Sequence, residues 1–274
     1  MNREPASLNL SPAFRPFNPN SDVRVYLRNL PHWRQQGATY FVTFRQADSI
    51  PQSVLAEWLD TRQRWYSAHN LEPAQREADP EKFAAGYLRI PRTIRRAFEK
   101  QQAKMLHEEL DRCHGSCVLR GHEIQTEVAE ALKHFHGDRL WLGDFVLMAN
   151  HVHVIIQPFD GWELEELLGS IKKWTSRKIG QRLDLMNPNL TPAESETEAS
   201  KPRFWQYESY DRIIRDVEEL AAFRRYIVRN PEAAGMEASE SLYFVADWLH
   251  PFAQTQVQLA EHNSTQRVKL LKRP

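Results

Sequence analysis

The stretch that decides the fold reads Leu140-Trp-Leu-Gly-Asp-Phe-Val-Leu-Met148, then Ala149-Asn150, then Val152-His-Val-Ile-Ile156. Both apolar runs have the length and the β-branched and aromatic content of buried strands. Hardly any break separates them, as in two strands joined by a tight turn. They predict a hairpin that runs through the centre of a sheet.

Upstream, Thr39–Arg45 follows Gly37, is rich in β-branched and aromatic residues, and predicts the first strand of the fold. Shorter strands are predicted at 116–119 and, at an edge, 204–210. Prolines and apolar residues at helical spacing mark the helices. The predicted helices are 52–67, 91–112, 123–135, 164–183 and 217–229, the last one stopped by Asn230-Pro231.

The order of these elements lacks a regular βαβ repetition, which favours an α+β fold with an antiparallel central sheet flanked by helices. Residues 1–24 are rich in Pro, Asn and Ser and are predicted to be a disordered tail. The main domain is predicted at 25–235, with a helical insertion at about 51–112 and an exposed loop at 184–203. Residues 236–274 are predicted to be a C-terminal extension.

Composition excludes some classes of function. The chain has 36 Lys and Arg against 36 Asp and Glu, its first 22 residues lack the apolar core typical of a secretory signal, and no apolar run is long enough to span a bilayer. We therefore expect a cytoplasmic protein without membrane association. The basic residues are clustered, which indicates either DNA contacts or solvated helix faces, and for Arg212 and Arg215 structural salt bridges are a further alternative. The candidate DNA-binding residues are Arg95, Arg96, Lys172, Lys173, Arg177, Lys178, Arg212 and Arg215.

The histidines of Asn150-His-Val-His153 are two residues apart in a strand-type sequence. On a strand such positions point to the same face, so both imidazoles can converge on one metal ion. The alternative is a pair of histidines with ordinary hydrogen bonds. His134-Phe-His136 has the same spacing but falls at a helix end, where the two side chains diverge by about 200° around the axis. We exclude that second pair as metal ligands.

Tyr226 and Asn230 form the second candidate pair. They are four residues apart on the last predicted helix and so share one face. A phenol can act as a nucleophile, and a neighbouring amide can complete the coordination of an ion. The alternative is a packed tyrosine ring with a solvated hydroxyl, followed by an asparagine that merely precedes a helix-stopping proline.

Together the two features resemble the single-tyrosine transposases of the HUH endonuclease superfamily, specifically the REP-associated tyrosine transposases and their insertion-sequence relatives. The resemblance covers roughly residues 25–235, and its landmarks are Leu30-Pro-His-Trp33, Gly37–Arg45, Met148–Val154, Phe204-Trp205, Ser209–Arg215 and Tyr226-Ile-Val-Arg-Asn-Pro231. It implies a ferredoxin-like HUH fold, with His151 and His153 as metal ligands and Tyr226 as nucleophile. Asn230 stands where relatives carry a third polar ligand, which is familiar as Gln in the insertion-sequence branch.

The activity that this resemblance implies is cleavage and transfer of single-stranded DNA beside a hairpin, through a 5′-phosphotyrosine intermediate with Mg²⁺ or Mn²⁺. The expected partner is DNA with palindromic repeat elements. The resemblance is also compatible with a homodimer. Two alternatives stay open. One is a domesticated hairpin-binding protein that no longer cleaves DNA. The other is a metal-dependent nuclease in which water, instead of Tyr226, attacks the phosphate.

Overall fold

A computed structural model describes residues 12–28, 30–186 and 203–252. The strands are β1 Arg24–Leu27, β2 Pro31–Arg34, β3 Tyr40–Arg45, β4 Leu140–Leu147, β5 His151–Pro158, β6 Tyr210–Ile213 and β7 Leu242–Phe244. The α-helices are α1 Gln52–Ala68, α2 Gln75–Ala78, α3 Pro80–Arg89, α4 Arg92–Asp111, α5 His122–Lys133, α6 Leu164–Met186 and α7 Val217–Ala233. Short 3-10 turns occupy Val118–Arg120, Ala238–Glu240 and Asp247–Phe252.

The central sheet has five antiparallel strands in the order β6-β3-β5-β4-β7. The elements β3, α5, β4, β5, α6 and β6 form a βαββαβ unit, with β7 added beside β4. The predicted α+β fold, with an antiparallel sheet flanked by helices, is confirmed.

The predicted hairpin forms β4 and β5, and β5 lies in the middle of the sheet. Every residue of β5 is buried, which explains the nearly continuous apolar run. The register pairs Val146 with His153 and shifts between Leu142 and Phe145. Gly143 lies in that irregularity, where an added Cβ would come within 2.8 Å of the Ile155 side chain. A glycine is required there because the neighbouring strand approaches closely.

Helices α1 to α4 form the predicted insertion between β3 and the rest of the sheet. They bury a second core of their own, built around Tyr66, Phe83, Tyr87 and Phe98, which also takes in Leu27 of β1. The β1–β2 hairpin precedes β3, so the prediction that 39–45 is the first strand was wrong. Both hairpin strands are only four residues long and contain arginine or proline, which hid them from apolar periodicity.

Three further boundaries differ from the predictions. Residues 118–120 form a 3-10 turn instead of a strand, and the edge strand lies at Tyr210–Ile213 instead of 204–210. Helix α7 continues through Asn230-Pro231 to Ala233. The backbone N–H groups of Ala234 and Met236 bond to the carbonyls of Asn230 and Pro231, so the last turn stays satisfied despite the proline.

The N-terminal segment also corrects a prediction. Residues 12–23 were assigned to a disordered tail, yet the backbone N–H of Phe17 donates to the Ile214 carbonyl, and that of Thr39 to the Arg15 carbonyl, both at 2.8 Å. Residues 1–11, the loop residues 187–202 and the last part of the C-terminal extension lie outside the described residues, so the domain division stays a prediction. No helix in the described part of the chain is long and apolar enough to cross a membrane.

A candidate active site of two histidines, a tyrosine and an asparagine

Strand β5 and helix α7 bring four of the predicted site residues together. His151 and His153 are fully buried on β5, with their Nε2 atoms 3.0 Å apart. The Tyr226 hydroxyl, on α7, lies 3.3 Å from His153 Nε2. Asn230, one helical turn later, is 1% exposed and lies beside His151 and Tyr226. Residues from separate parts of the sequence therefore surround one small volume.

The protonation of His151 follows from its neighbour Asn150. The Asn150 amide donates through Nδ2 to the His114 carbonyl at 2.8 Å, which turns its Oδ1 toward His151. This oxygen lies 2.8 Å from His151 Nδ1 and can only accept, so Nδ1 carries the proton. Neutral His151 therefore presents a lone pair on Nε2 toward His153.

His153 has an equivalent partner on the neighbouring strand. Its Nδ1 lies 2.7 Å from the Thr43 hydroxyl of β3, which can accept the Nδ1 proton. In that tautomer both Nε2 atoms offer lone pairs to the same point. Metal-binding histidines commonly donate their other ring N–H to such an oxygen. Two ring nitrogens each about 2.1 Å from one ion and at right angles lie about 3.0 Å apart, so the pair fits a divalent cation.

The orientation of Asn230 is fixed in the same way. Its Nδ2 donates to Asp111 Oδ1 at 3.2 Å, at the end of α4. The opposite atom, Asn230 Oδ1, is buried without a hydrogen-bond partner among the described residues. A buried, unpaired amide oxygen is costly and needs an explanation. Beside two imidazoles with free lone pairs, a hard cation would satisfy it.

The buried surroundings determine the charge of the site. Burial lowers the pKa of His151 to about 3 and that of His153 well below its usual range, with further lowering by the neighbouring histidines. Both rings are therefore neutral, as metal ligands must be. Burial raises the pKa of Tyr226, Asp111 raises it further, and the Asn230 amide opposes them. The phenol needs added positive charge before it can ionise.

Sequence patterns did not single out three residues that complete the site: Thr43, His107 and Asp111. The ring of His107 stacks on Tyr226 at 5.4 Å between centroids and lies edge-on to His153, also at 5.4 Å. Burial lowers the pKa of His107 to about 4. No spacing rule finds such residues, because they reach the site through the packing of α4 and β3.

The set of possible metal ligands is small. The described part of the chain has no group of three or more His, Cys, Asp and Glu side chains that could hold an ion. A cation here would therefore use the two histidines with amide, phenol or phosphate oxygens. Such a mixed set suits Mn²⁺ or Mg²⁺ better than a structural zinc site.

A buried ion pair anchors the helix that carries Tyr226. Arg224, two residues earlier on α7, donates to Asp144 of β4 at 2.7 Å and to the Leu249 carbonyl at 2.9 Å. Asp144 also accepts the backbone N–H of Ala246. These contacts join α7, the central sheet and the segment after β7, so the position of the phenol is fixed by the core.

The predicted DNA-binding residues fall into separate groups. The Lys172 ammonium donates hydrogen bonds to the carbonyls of Gln206 and Tyr207 and to the Ser209 hydroxyl, and its contact with DNA stays a prediction. Lys173 and Arg177 are exposed on α6, and Lys178 lies over the Trp174 ring at 5.6 Å. The remaining four residues line one cavity: Arg95, Arg96, Arg212 and Arg215.

Comparison with known proteins gives one similar solved structure to report. No protein-family model matches the chain, and no curated protein matches it either. A REP-associated tyrosine transposase bound to a REP hairpin is similar over 77% of this chain and 76% of that one, with a TM-score of 0.38 and 11% sequence identity. Residue roles do not transfer at this identity.

Proposed function

We propose that this protein is a metal-dependent tyrosine endonuclease and strand transferase that acts on single-stranded DNA next to a hairpin. One observation carries the proposal: the Tyr226 hydroxyl lies 3.3 Å from His153 Nε2, which lies 3.0 Å from His151 Nε2. A potential nucleophile next to a pair of convergent neutral imidazoles is the arrangement that metal-assisted phosphoryl transfer requires. The resemblance of the sequence landmarks supplies the substrate class.

Each residue has a defined task. His151 and His153 hold the ion, with Asn150 and Thr43 fixing their tautomers, and Asn230 offers its buried amide oxygen to the same place. Mg²⁺ or Mn²⁺, when bound, supplies the positive charge that the scissile phosphate and the phenolate need. Helix α7 holds Tyr226 in a fixed position, so attack requires little reorganisation.

The proposed covalent step exchanges one phosphoester bond for another. The Tyr226 oxygen forms a bond to phosphorus while the bond from phosphorus to the 3′ oxygen breaks. The phenol loses one proton, the leaving oxygen gains one, and the products are a 5′-phosphotyrosine and a free 3′-hydroxyl. Attack by a different 3′-hydroxyl reverses the exchange and joins new DNA ends without an external energy source.

The test is a denaturing-gel assay with 5′- and 3′-labelled single-stranded hairpin oligonucleotides in Mg²⁺ or Mn²⁺. We expect wild type to form a protein-linked band that carries the DNA 3′ of the cut. Tyr226→Phe should abolish that band, and His151→Ala should reduce it by at least about a hundredfold. Tyr207→Phe is the matched control, because Tyr207 is 65% exposed and its change removes the same hydroxyl from the surface.

Two outcomes would contradict the proposal. Cleavage that persists in Tyr226→Phe, with no adduct in wild type, would point to a nuclease in which water attacks. Hairpin binding without cleavage in either metal would point to a DNA-binding protein that has lost the reaction. The labelled ends distinguish a 5′ linkage from any other.

A further inference from the structure

A second site lies beside the catalytic one, between the helical insertion and the edge of the sheet. It is a cavity of about 320 Å³ enclosed by α1, α4, β2 and β6. This volume is at the lower end of small-ligand pockets. It can take one nucleotide but is too small for a duplex. The cavity belongs to neither the histidine pair nor Tyr226.

The cavity is strongly basic. Its arginines are Arg62, Arg92, Arg95, Arg96, Arg212 and Arg215. The two acids in its wall are committed elsewhere: Asp211 to His32 and Arg34, and Glu99 to the Tyr87 hydroxyl. Within the described ranges no carboxylate lies in salt-bridge distance of Arg92, Arg96 or Arg215. The surplus positive charge favours the binding of an anion.

The arginines also repel one another. Burial lowers the pKa of Arg215, the neighbouring guanidinium groups of Arg212, Arg96 and Arg92 lower it further, and Glu219 opposes them. Arg212 itself is paired with Glu219 at 2.6 Å. A phosphate bound among Arg92, Arg96 and Arg215 would relieve this repulsion and could accept several charge-assisted hydrogen bonds.

The remaining walls are aromatic and contain two unpaired polar groups. Trp33, Tyr66, Phe98 and Tyr210 line the cavity and offer flat surfaces for a base. Arg62 Nε and the Tyr66 hydroxyl are buried without hydrogen-bond partners among the described residues, and both residues are more than nine-tenths buried. Both side chains line the cavity, so a small side-chain movement would let the polar edge of a bound base supply their missing partner.

We propose that this cavity binds one unpaired nucleotide, with its phosphate at Arg92, Arg96 and Arg215 and its base between the aromatic walls near Arg62 and Tyr66. Helix α4 lines the cavity with Arg96 and Gln102 and reaches Tyr226 with His107, so the two sites share one wall. That the nucleotide belongs to the strand that Tyr226 cleaves rests on the proposed function. The nucleotide chemistry of the cavity does not.

The first test is calorimetric titration in EDTA, which keeps the histidine pair free of metal. The ligands are the four deoxynucleoside 5′-monophosphates, the corresponding nucleosides and inorganic phosphate. We expect at least one nucleotide to bind about tenfold or more tightly than its nucleoside and than phosphate. Arg96→Gln/Arg215→Gln should weaken it at least about tenfold. The control, Arg89→Gln/Lys100→Gln, changes two exposed cations outside the cavity and should leave binding unchanged.

Equal binding of phosphate and nucleotide, no nucleotide binding at all, or equal loss in both double variants would overturn the proposal. Thermal melting checks that the variants are folded, which we expect because Arg96 is exposed and Arg215 half-buried.

A second titration identifies the source of the nucleotide. Hairpin oligonucleotides that carry one abasic position at a time are titrated against wild type and Arg96→Gln/Arg215→Gln. A single position whose loss weakens binding to wild type but not to the variant assigns the cavity to the DNA strand. Nucleotide binding without such a position assigns it to a free nucleotide. Covalent cleavage at saturating DNA should persist in the variant, which separates failure at this cavity from failure at Tyr226.

Discussion

At the scale of single residues, Asp111 orients the Asn230 amide beside the histidine pair. Its carboxylate accepts Asn230 Nδ2 and so leaves Asn230 Oδ1 turned toward the histidines. We expect Asp111→Ala to weaken Mn²⁺ binding by about ten- to a hundredfold, as the loss of an outer partner does in other metal sites. Titration with Mn²⁺, followed by the electron paramagnetic resonance of the free ion, measures this without any catalytic readout.

Asp111→Asn is the matched variant, because its amide oxygen can still accept from Asn230. We expect it to bind Mn²⁺ within a few-fold of wild type. Equal weakening in Asp111→Ala and Asp111→Asn would show that the carboxylate charge matters and that the orientation of Asn230 does not.

His32 makes the stability of the fold depend on pH. Its ring nitrogens bond to Asp211 at 2.6 Å and Glu208 at 2.9 Å. Burial alone lowers the pKa of His32, but these two carboxylates outweigh it and raise the pKa to about 9. The unfolded value is about 6.5. The charged ring therefore stabilises the fold fully below about pH 6.5, and this contribution is lost as the pH rises through 9.

We expect His32→Gln to lower the free energy of unfolding by about 3 kcal/mol near pH 6 and by much less near pH 10. Urea unfolding of both proteins across this range measures the difference. Stability curves that run parallel from pH 6 to pH 10 would contradict the assigned protonation of His32.

Sequence patterns predicted those site residues that share a local rule. The i, i+2 spacing of His151 and His153 and the i, i+4 spacing of Tyr226 and Asn230 are properties of single elements, and the structure brings all four together. Asp111 and His107 enter through tertiary packing of an inserted helix, which no local pattern encodes. For Lys172 the pattern of charges did not reveal that the ammonium donates to the Gln206 and Tyr207 carbonyls, and its contact with DNA stays a prediction.

At the scale of elements, the irregularity in β4 depends on Gly143. An added Cβ would lie 2.8 Å from Ile155 and 3.0 Å from Leu249, and both of these side chains are fully buried. We expect Gly143→Ala to destabilise the protein by about 1–3 kcal/mol through overpacking. Gly169→Ala on α6 is the control, because nothing lies within 4 Å of its added methyl, and it should be neutral or slightly stabilising. Urea unfolding compares the two, and equal effects would contradict this account.

Elements with a strong periodicity were predicted well, and short elements were not. The β4–β5 hairpin and α4 start and end within a few residues of their predicted limits. The four-residue strand β6 gains its pairing from β3, which is distant in sequence, whereas the four-residue strands β1 and β2 pair with each other. Their sequences are too short and too charged to show a period.

At the scale of the whole molecule, the net charge is zero, but the positive charges are concentrated around one cavity. The cavity arginines come from α1, α4, β6 and the residue following Ile214, and the fold concentrates them at one place. If Arg96 and Arg215 hold the one proposed phosphate, Arg96→Gln/Arg215→Gln should reduce the slope of log affinity against log salt by about 0.7, the value for one phosphate contact with single-stranded DNA. Filter binding over a range of salt concentrations measures the slope, and an unchanged slope would contradict the contact.

Helix α4 runs without interruption from the basic cavity to Tyr226, so its length fixes the distance between the two sites. Arg96 and His107 are about 16 Å apart along its axis. If the nucleotide bound in the cavity belongs to the cleaved strand, this distance would set how many nucleotides separate it from the cleaved bond. A full turn added to α4 would lengthen it by about 5.4 Å and would move the cut by one to two nucleotides.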